Sequence, residues 1–179
     1  MAAHAYYRLD DSHNDHLVAQ SVYQRTYRRG QLALLWSTLT GRSRHLFDLS
    51  EVASAHTTRD GGSVRRQRVP IRQIRGSCGR CADFDADFHP LQQHNRERWL
   101  NIAVSRDRGA SLPPVELIQV GEIYFVQDGH HRISVARALG QKAVDAWVTV
   151  WNVAGPLPEE LRNPPHDSPQ MGGDSHFVL

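Results

Sequence analysis

The sequence predicts an α+β protein: a small mixed sheet with packed helices, preceded by an N-terminal helical arm. Three observations lead to this fold class. Short apolar runs rich in β-branched and aromatic residues recur along the second half of the 179-residue chain. Stretches with 3.6-residue periodicity alternate with them, and a longer helical pattern precedes them all.

The chain divides into four parts by composition. Residues 1–54 have apolar residues at helical spacing and form the arm. The arm is predicted to begin with one long helix, or with two shorter helices separated near Gly30. A short helix is predicted to follow at about residues 44–54. Residues 55–68 are polar and contain Gly61-Gly62, which is typical of a linker. Residues 69–151 form the domain. Residues 152–179 hold five prolines and three glycines and are predicted to be disordered.

The domain begins with a strand and a loop. Residues 69–74 alternate loosely, and Pro70 places this strand at a sheet edge or a strand start. A glycine-containing loop follows at residues 75–81. A helix is predicted over about residues 91–108, with Trp99 in its buried stripe. The other tryptophans, at positions 36, 147 and 151, are also interpreted as packing residues.

A hairpin, a helix and a last strand complete the domain. Residues 115–120 and 123–127 are two strands joined by a two-residue connection. A helix then runs to Gly140, which suits a C-cap. Residues 144–151 alternate strongly and form the final strand.

Charge and cysteine content restrict the class of protein. Residues 1–75 carry twelve basic and six acidic groups, so they could contact DNA or another polyanion, although a solvated arginine-rich face is the commoner explanation. The basic helical arm is also compatible with a homodimer. Two cysteines provide no disulfide framework, and no run has the length of a membrane span. A cytoplasmic protein without membrane contact is therefore expected.

The segment Asp-Gly-His-His-Arg at residues 128–132 is the main candidate for chemistry. It joins a strand to a helix, where free backbone N–H groups and the helix dipole favour an anion. Gly129 allows close approach of a ligand, and Arg132 offers a planar donor that suits phosphate. The alternative is that Asp128 caps the helix and that the histidines are surface residues.

Residues 112–117 (Leu-Pro-Pro-Val-Glu-Leu), residues 126–132 and Ala136 together resemble the ParB/sulfiredoxin superfamily, also called the ParB-like nuclease domain. The resemblance covers about residues 69–151. The Asp-Gly-His-His-Arg segment resembles that of ADP-dependent free-serine kinases. The resemblance implies a ParB/sulfiredoxin-like fold that binds a nucleotide (ATP, ADP or CTP).

The resemblance also implies roles for individual residues. Gly129, His131 and Arg132 correspond to phosphate ligands. His130 stands where sulfiredoxin has its catalytic cysteine, which argues against sulfinic-acid reduction. His131 replaces an arginine of the partition proteins, which weakens the case for a CTP clamp. The chain has no helix-turn-helix region after the domain, so partition-type DNA reading lacks its usual element.

Further candidates surround this segment. The superfamily layout places the loop after the first strand near the nucleotide, so Gly76, Ser77 and Arg80 are candidate phosphate ligands. Asp83 and Asp85 are candidate ligands of Mg²⁺. The favoured alternative for the acidic segment is an extended stretch with buried phenylalanines and solvated carboxylates.

Catalytic and cysteine candidates complete the set. The candidate catalytic residues are Glu116, Asp128 and His130. For Glu116, a solvated strand position without a catalytic role is an equal alternative. Cys78 and Cys81 form a Cys-x-x-Cys pattern that is compatible with a redox pair, with half of a zinc site, or with two incidental loop cysteines. A zinc site needs two more ligands, and His89 and His94 are the nearest candidates.

Three functions remain open from the sequence. The first is nucleotide binding at residues 128–132, with phosphotransferase or nucleotidase activity. The second is a non-catalytic regulator that binds DNA or a protein through its arginine-rich first half. The third, a nuclease, depends on the name of the resembling domain alone.

Overall fold

The computed structural model describes residues 3–41, 44–55 and 58–154. The predicted disordered tail lies outside these residues, apart from its first three positions. In the described part of the chain, six strands form one mixed sheet. Helices pack against this sheet, so the α+β fold class is confirmed. No helix among the described residues has both the length and the apolar content that crossing a membrane requires.

The arm is a single helix, α1 (Ala3–Thr40), with no break at Gly30. One face of α1 packs on α3 (Arg96–Asp107), where Tyr23 meets the ring of Trp99 edge-on at 5.4 Å. Gly30 is buried farther along α1, against residues 89–91 before α3. A Cβ at that position would lie 3.0 Å from the Pro90 carbonyl oxygen, so glycine lets the helix approach the domain closely.

Residues 44–55 differ from the predicted short helix. They contain a two-residue strand, β1 (Phe47–Asp48), followed by helix α2 (Leu49–Ala55). β1 pairs in parallel with Gly76 and Ser77. The Asp48 carboxylate accepts a hydrogen bond from the Ser50 backbone N–H at 2.9 Å, so it caps α2 and ends the strand.

The predicted linker at residues 55–68 is wrong, because β2 (Thr58–Pro70) occupies most of it. β2 pairs antiparallel with β6 (Ala143–Val153), and the register shifts around the predicted Gly-Gly break. Pairing with β6 satisfies the backbone groups, while the exposed side chains of this edge strand can be polar. The predicted strand at residues 69–74 is therefore divided between the end of β2, a 3₁₀ turn and the start of β3 (Ile74–Ser77).

The second half of the domain follows the predicted order closely. β4 (Val115–Val120) and β5 (Ile123–Asp128) form the expected antiparallel hairpin. β5 continues into α4 (His130–Ala138) through Gly129. β5 also pairs in parallel with β3, and β4 pairs in parallel with β6. α3 begins at Arg96, later than predicted, because a 3₁₀ turn precedes it.

The core lies on both faces of the sheet. Ile133 and Ala136 of α4 pack with Leu117 and Val126 on one face, whereas Leu49 and Val52 of α2 cover the other face. Trp99 is fully buried as predicted. Trp36 and Trp147 are exposed, so the prediction that they pack is wrong. Both lie on surfaces, the end of α1 and a β6 face, that no described element covers.

Candidate functional site

The site is built at the turn between β5 and α4. Gly129 has a φ of 103° and occupies the N-cap of α4. A Cβ at this position would lie 2.6 Å from Cγ1 of Val115, so both the backbone conformation and the space require glycine. This turn brings the first residues of α4 against β4 and aims the helix N-terminus at the space beside them.

His130 is the first residue of α4 and is held inside the protein. Its side chain is 3% exposed, and its Nε2 shares a hydrogen bond of 2.7 Å with the Ser77 hydroxyl. Its ring stacks on Phe84 with centroids 5.9 Å apart. Burial, reinforced by the charge of Arg80, lowers the pKa of His130 to about 4. The imidazole is therefore neutral at pH 7.

His131 is also buried, and one of its nitrogens is unsatisfied. The residue is 4% exposed, and its ring meets the Phe84 ring edge-on at 5.3 Å. Burial, together with the charges of Arg98 and Arg80, lowers its pKa to about 4. Among the described residues, no atom forms a hydrogen bond with the buried Nε2 of His131. Such an atom costs free energy unless it gains a partner.

A cavity of about 30 Å³ lies at the N-terminus of α4, and we call it the α4 cavity. It is lined by Arg80, Arg98, Ile102, Asp128, Gly129, His130, His131 and Arg132. Arg80 and Arg98 are exposed at their outer ends. The Arg80 backbone N–H donates to Ser77 Oγ at 3.0 Å, which connects the loop after β3 to the His130 hydrogen bond. The α4 cavity is therefore bordered by three arginines, by the N-terminus of a helix and by a single carboxylate residue.

The Arg132 guanidinium already forms most of its hydrogen bonds within the protein. Its guanidinium donates to the carbonyl oxygens of Pro113 and Pro114, each at 2.7 Å, and it pairs with Asp128. These contacts fasten the start of α4 to the segment before β4. Arg132 therefore shapes the wall of the α4 cavity, with fewer free donors than a phosphate ligand would offer.

The loop after β3 reaches the site through two of its three predicted residues. Ser77 and Arg80 contact it as described above. Gly76 does not line the α4 cavity. It lies in β3 between β1 and β5, where a Cβ would be 2.1 Å from the Phe125 ring. Position 76 therefore requires glycine because the packing leaves no room for a side chain.

The acidic segment has mainly a structural role. Phe84 and Phe88 are buried, as the favoured alternative predicted, but Asp85 is buried too, which that alternative did not predict. Asp85 accepts hydrogen bonds from the backbone N–H groups of Asp87 and His89, and it pairs with the His89 ring at 2.8 Å. The Asp83 carboxylate (Oδ2) lies 3.5 Å from Nη1 of Arg80, at the side of the site.

Asp85, Asp87 and His89 have side-chain ligand atoms within 4.8 Å of one another, the geometry of a metal group, and Asp83 is not a member. Asp87 already pairs with Arg44 and Arg137. Burial would raise the pKa of Asp87, but the charges of Arg137, His89 and Arg44 outweigh burial and lower it. Protein donors thus satisfy these carboxylates, and they do not fit a Mg²⁺ site without rearrangement.

The two other predicted catalytic residues are carboxylates with different positions. Asp128 lines the α4 cavity and pairs with Arg132. Glu116 is exposed on β4 between Val115 and Leu117, which both belong to the core beneath α4. Because strand side chains alternate, Glu116 points to the opposite face of the sheet. The structure does not bring it to the α4 cavity.

The two cysteines are poor candidates for thiol chemistry. Burial, together with the charge of Asp48, raises the pKa of both Cys78 and Cys81 to about 11. A reactive redox pair needs a lowered pKa. Among the described residues, neither thiol belongs to a group of three candidate metal ligands. Incidental loop cysteines, the third alternative, agree best with this environment.

Native alkylation tests this interpretation. We expect iodoacetamide at pH 8 to modify Cys78 and Cys81 about 100-fold more slowly in the native protein than in urea, because a pKa two units higher lowers the thiolate fraction by that factor. Peptide mass spectrometry over time measures both rates. Equal rates in native and denatured protein would show that these thiols are ordinary.

Arg98 is the member of the site that could not be identified from the sequence. It lies on the exposed part of α3, one turn before Ile102, which also lines the cavity. In the sequence it stands in a mixed charged run, Arg-Glu-Arg at residues 96–98, which any solvated helix could contain. Only the packing of α3 beside α4 identifies it.

The DNA contact stays a prediction. Three of the arginines in the basic first part of the chain are exposed on α1: Arg25, Arg28 and Arg29.

Comparison with known proteins finds a distant structural neighbour. No protein-family model matches the sequence. No curated protein matches it either. A crystal structure of sulfiredoxin from Arabidopsis thaliana aligns with a TM-score of 0.35 and 17% identity, covering 47% of this chain and 83% of that chain. A likeness this weak carries no assignment of family or function. The chain is thus defined by its own features, a six-stranded mixed sheet with a cavity of arginine and neutral histidine at a helix start.

Proposed function

We propose that this protein binds the phosphate groups of a nucleotide at the N-terminus of α4. One observation carries the proposal: the buried Nε2 of His131 has no partner among the described residues, in a side chain that lines the same cavity as Arg80 and Arg98. A phosphate oxygen would satisfy this atom, and the two guanidinium groups would balance the phosphate charge.

The electrostatics of the α4 cavity favour an anion. The N-terminus of α4 contributes its dipole and free backbone N–H groups. His131 is neutral at pH 7 and, in the Nε2–H tautomer, donates a hydrogen bond without the cost of a buried charge. The neighbouring His130 is held by Ser77, so it keeps its orientation when a ligand enters.

The size of the α4 cavity sets a condition on binding. About 30 Å³ suits one or two water molecules and is smaller than a phosphate group. Arg80 and Arg98 are exposed and can turn outward to admit the ligand. Binding in this proposal therefore reorients these two side chains, while the buried histidines stay in place.

A nucleotide is preferred over other phosphates because residues 126–132 resemble nucleotide-binding members of the ParB/sulfiredoxin superfamily. In the same proposal a phosphotransferase or nucleotidase reaction would use Asp128, the predicted catalytic carboxylate that lies at the cavity. Mg²⁺ bound to the nucleotide would meet Asp128 or Asp83, since the oxygens of Asp85 are already satisfied within the protein.

Calorimetric titration with ATP, ADP and CTP, each with and without Mg²⁺, tests the proposal. We expect binding by at least one nucleotide, weakened about tenfold or more by Arg98→Gln, because hydrogen bonds to charged groups contribute about 1.5–3 kcal/mol. Arg72→Gln is the matched control, since Arg72 is exposed and lines neither cavity described here. No heat with any nucleotide would refute the proposal, as would equal affinities for the two variants.

A further inference from the structure

A second, larger cavity of about 370 Å³ lies on the other side of Arg132, and we call it the basic cavity. It is enclosed by the end of α3, the outer side of α4 and the ladder between β2 and β6. Its volume falls within the range of small-molecule sites.

Four basic residues from four different parts of the fold line the basic cavity. Arg68 comes from β2, Arg106 from the last turn of α3, Arg132 from α4, and Lys142 from the connection before β6. Asp145 is the single carboxylate in the lining. Like charges brought to one concave surface repel one another unless an anion is bound among them.

The guanidinium groups of Arg106 and Arg132 are held by hydrogen bonds, whereas the side chains of Arg68 and Lys142 are not held by any described residue. With the Gln141 amide oxygen facing Arg106, that oxygen accepts from the guanidinium at 2.6 and 3.1 Å. The Lys142 carbonyl oxygen accepts a hydrogen bond from the Ile71 backbone N–H at 2.9 Å, which fixes the backbone at the lysine. In the part of the chain that the structure describes, the side chains of Arg68 and Lys142 have no hydrogen-bond or ion-pair partner.

The remaining wall of the basic cavity is apolar. Leu112, Val135 and Val144 line it beside the charged groups. A ligand that uses the whole cavity therefore needs a compact apolar or aromatic body as well as concentrated negative charge. Arginine and lysine together favour a phosphate group, which accepts hydrogen bonds from several donors at once.

We propose that the basic cavity binds a small organic phosphate ester, with its phosphate at Arg68, Arg106 and Lys142 and its carbon skeleton against Val135 and Val144. This site is separate from the α4 cavity, with Arg132 in the wall between them. It does not depend on the proposed nucleotide site. A protein with both sites could bring two phosphate-bearing ligands to opposite sides of one arginine.

Lys142 is the one lysine among the 179 residues, so a reagent that reacts with lysine side chains tests this position selectively. Pyridoxal 5′-phosphate is an aromatic phosphate ester whose aldehyde condenses with a lysine amine, losing water to form an imine. Borohydride then reduces the imine to a stable secondary amine, and peptide mass spectrometry locates the label. 5-Deoxypyridoxal carries the same aldehyde without the phosphate, so it measures labelling in the absence of anion recognition.

We expect pyridoxal 5′-phosphate to label Lys142 with saturation and at least tenfold more efficiently than 5-deoxypyridoxal. Phenyl phosphate, which has no aldehyde, should protect Lys142. Arg68→Gln should reduce the labelling several-fold, whereas the control Arg65→Gln should not. Arg65 is exposed on the same strand and does not line the cavity.

Equal labelling by the two aldehydes, or equal labelling of the Arg68→Gln and Arg65→Gln variants, would overturn the proposal. The Arg98→Gln variant separates the two sites. It should leave Lys142 labelling unchanged, because Arg98 lines the α4 cavity and not the basic cavity. Loss of Lys142 labelling in Arg98→Gln would show that the two cavities are not independent, and it would contradict this inference.

Discussion

Lowering the pH from 7 to 5 is expected to remove about 4 kcal/mol of the free energy of unfolding, about 2 kcal/mol for each of His130 and His131. The folded-state pKa of both side chains is lowered to about 4, chiefly by burial. Between that value and the ordinary pKa near 6.5, the unfolded chain binds more protons than the folded protein. The histidines' contribution is therefore complete above pH 6.5 and is lost as the pH falls toward 4.

Urea unfolding at pH 7, 6 and 5 measures this dependence, and NMR titration of the imidazole protons gives both pKa values directly. His16→Gln is the control and should leave the pH dependence unchanged, because His16 is exposed and is not among the groups whose charge shifts the pKa of either buried histidine. His131→Gln should remove about half of it. A free energy of unfolding that stays constant between pH 7 and 5, with both histidines titrating near 6.5, would contradict the described burial.

Replacing Gly76 by alanine is the second change with a large expected effect. The new Cβ would lie 2.1 Å from Cδ1 of Phe125 and 2.8 Å from the Phe47 carbonyl oxygen. Phe125 is fully buried, so neither neighbour can move away cheaply. We expect a loss of about 3 kcal/mol, the upper part of the usual range for overpacking, and a Tm lower by roughly 6–12 °C.

Thermal unfolding followed by circular dichroism measures the Gly76 effect. Gly79→Ala is the comparison, because a Cβ there meets no atom within 4 Å and costs only the strain of a φ of 82°. The double variant Gly76→Ala, Phe125→Leu should recover part of the lost stability, since the smaller side chain makes room for the Cβ. A Gly76→Ala protein as stable as Gly79→Ala would show that β1, β3 and β5 are not packed as described.

The elements that the sequence predicted correctly are those determined by local patterns. The hairpin of β4 and β5 and the turn into α4 follow from two strand-length apolar runs and from Gly129. The burial of Phe84 and Phe88 follows from their alternation with charged residues. In each case the neighbours in the sequence are enough to decide the conformation.

The errors have a non-local cause. β2 looks like a linker because its polar residues carry no strand pattern, and its conformation comes from pairing with β6, which lies far along the chain. β1 is too short for any periodicity, and it exists because β3 accepts it as a parallel partner. Pairing of distant segments is invisible to a pattern search along the chain.

The candidate site was predictable in its centre and not in its surroundings. The Asp-Gly-His-His-Arg segment identified the helix N-terminus, and the resemblance added Ser77 and Arg80 from another loop. Arg98 and Lys142 could not be found, since their positions depend on how α3 and β6 pack beside α4. The burial of both histidines likewise depends on Phe84, which a distant segment supplies.

A crystal structure of the protein with ATP tests the central claim most directly. We expect phosphate oxygens within hydrogen-bond distance of His131 Nε2 and of the Arg80 and Arg98 guanidinium groups, with Arg80 moved away from its present position beside Asp83. His130 should keep its hydrogen bond to Ser77. An ordered nucleotide bound elsewhere, with His131 Nε2 still lacking a partner, would contradict the claim that the N-terminus of α4 is a phosphate site.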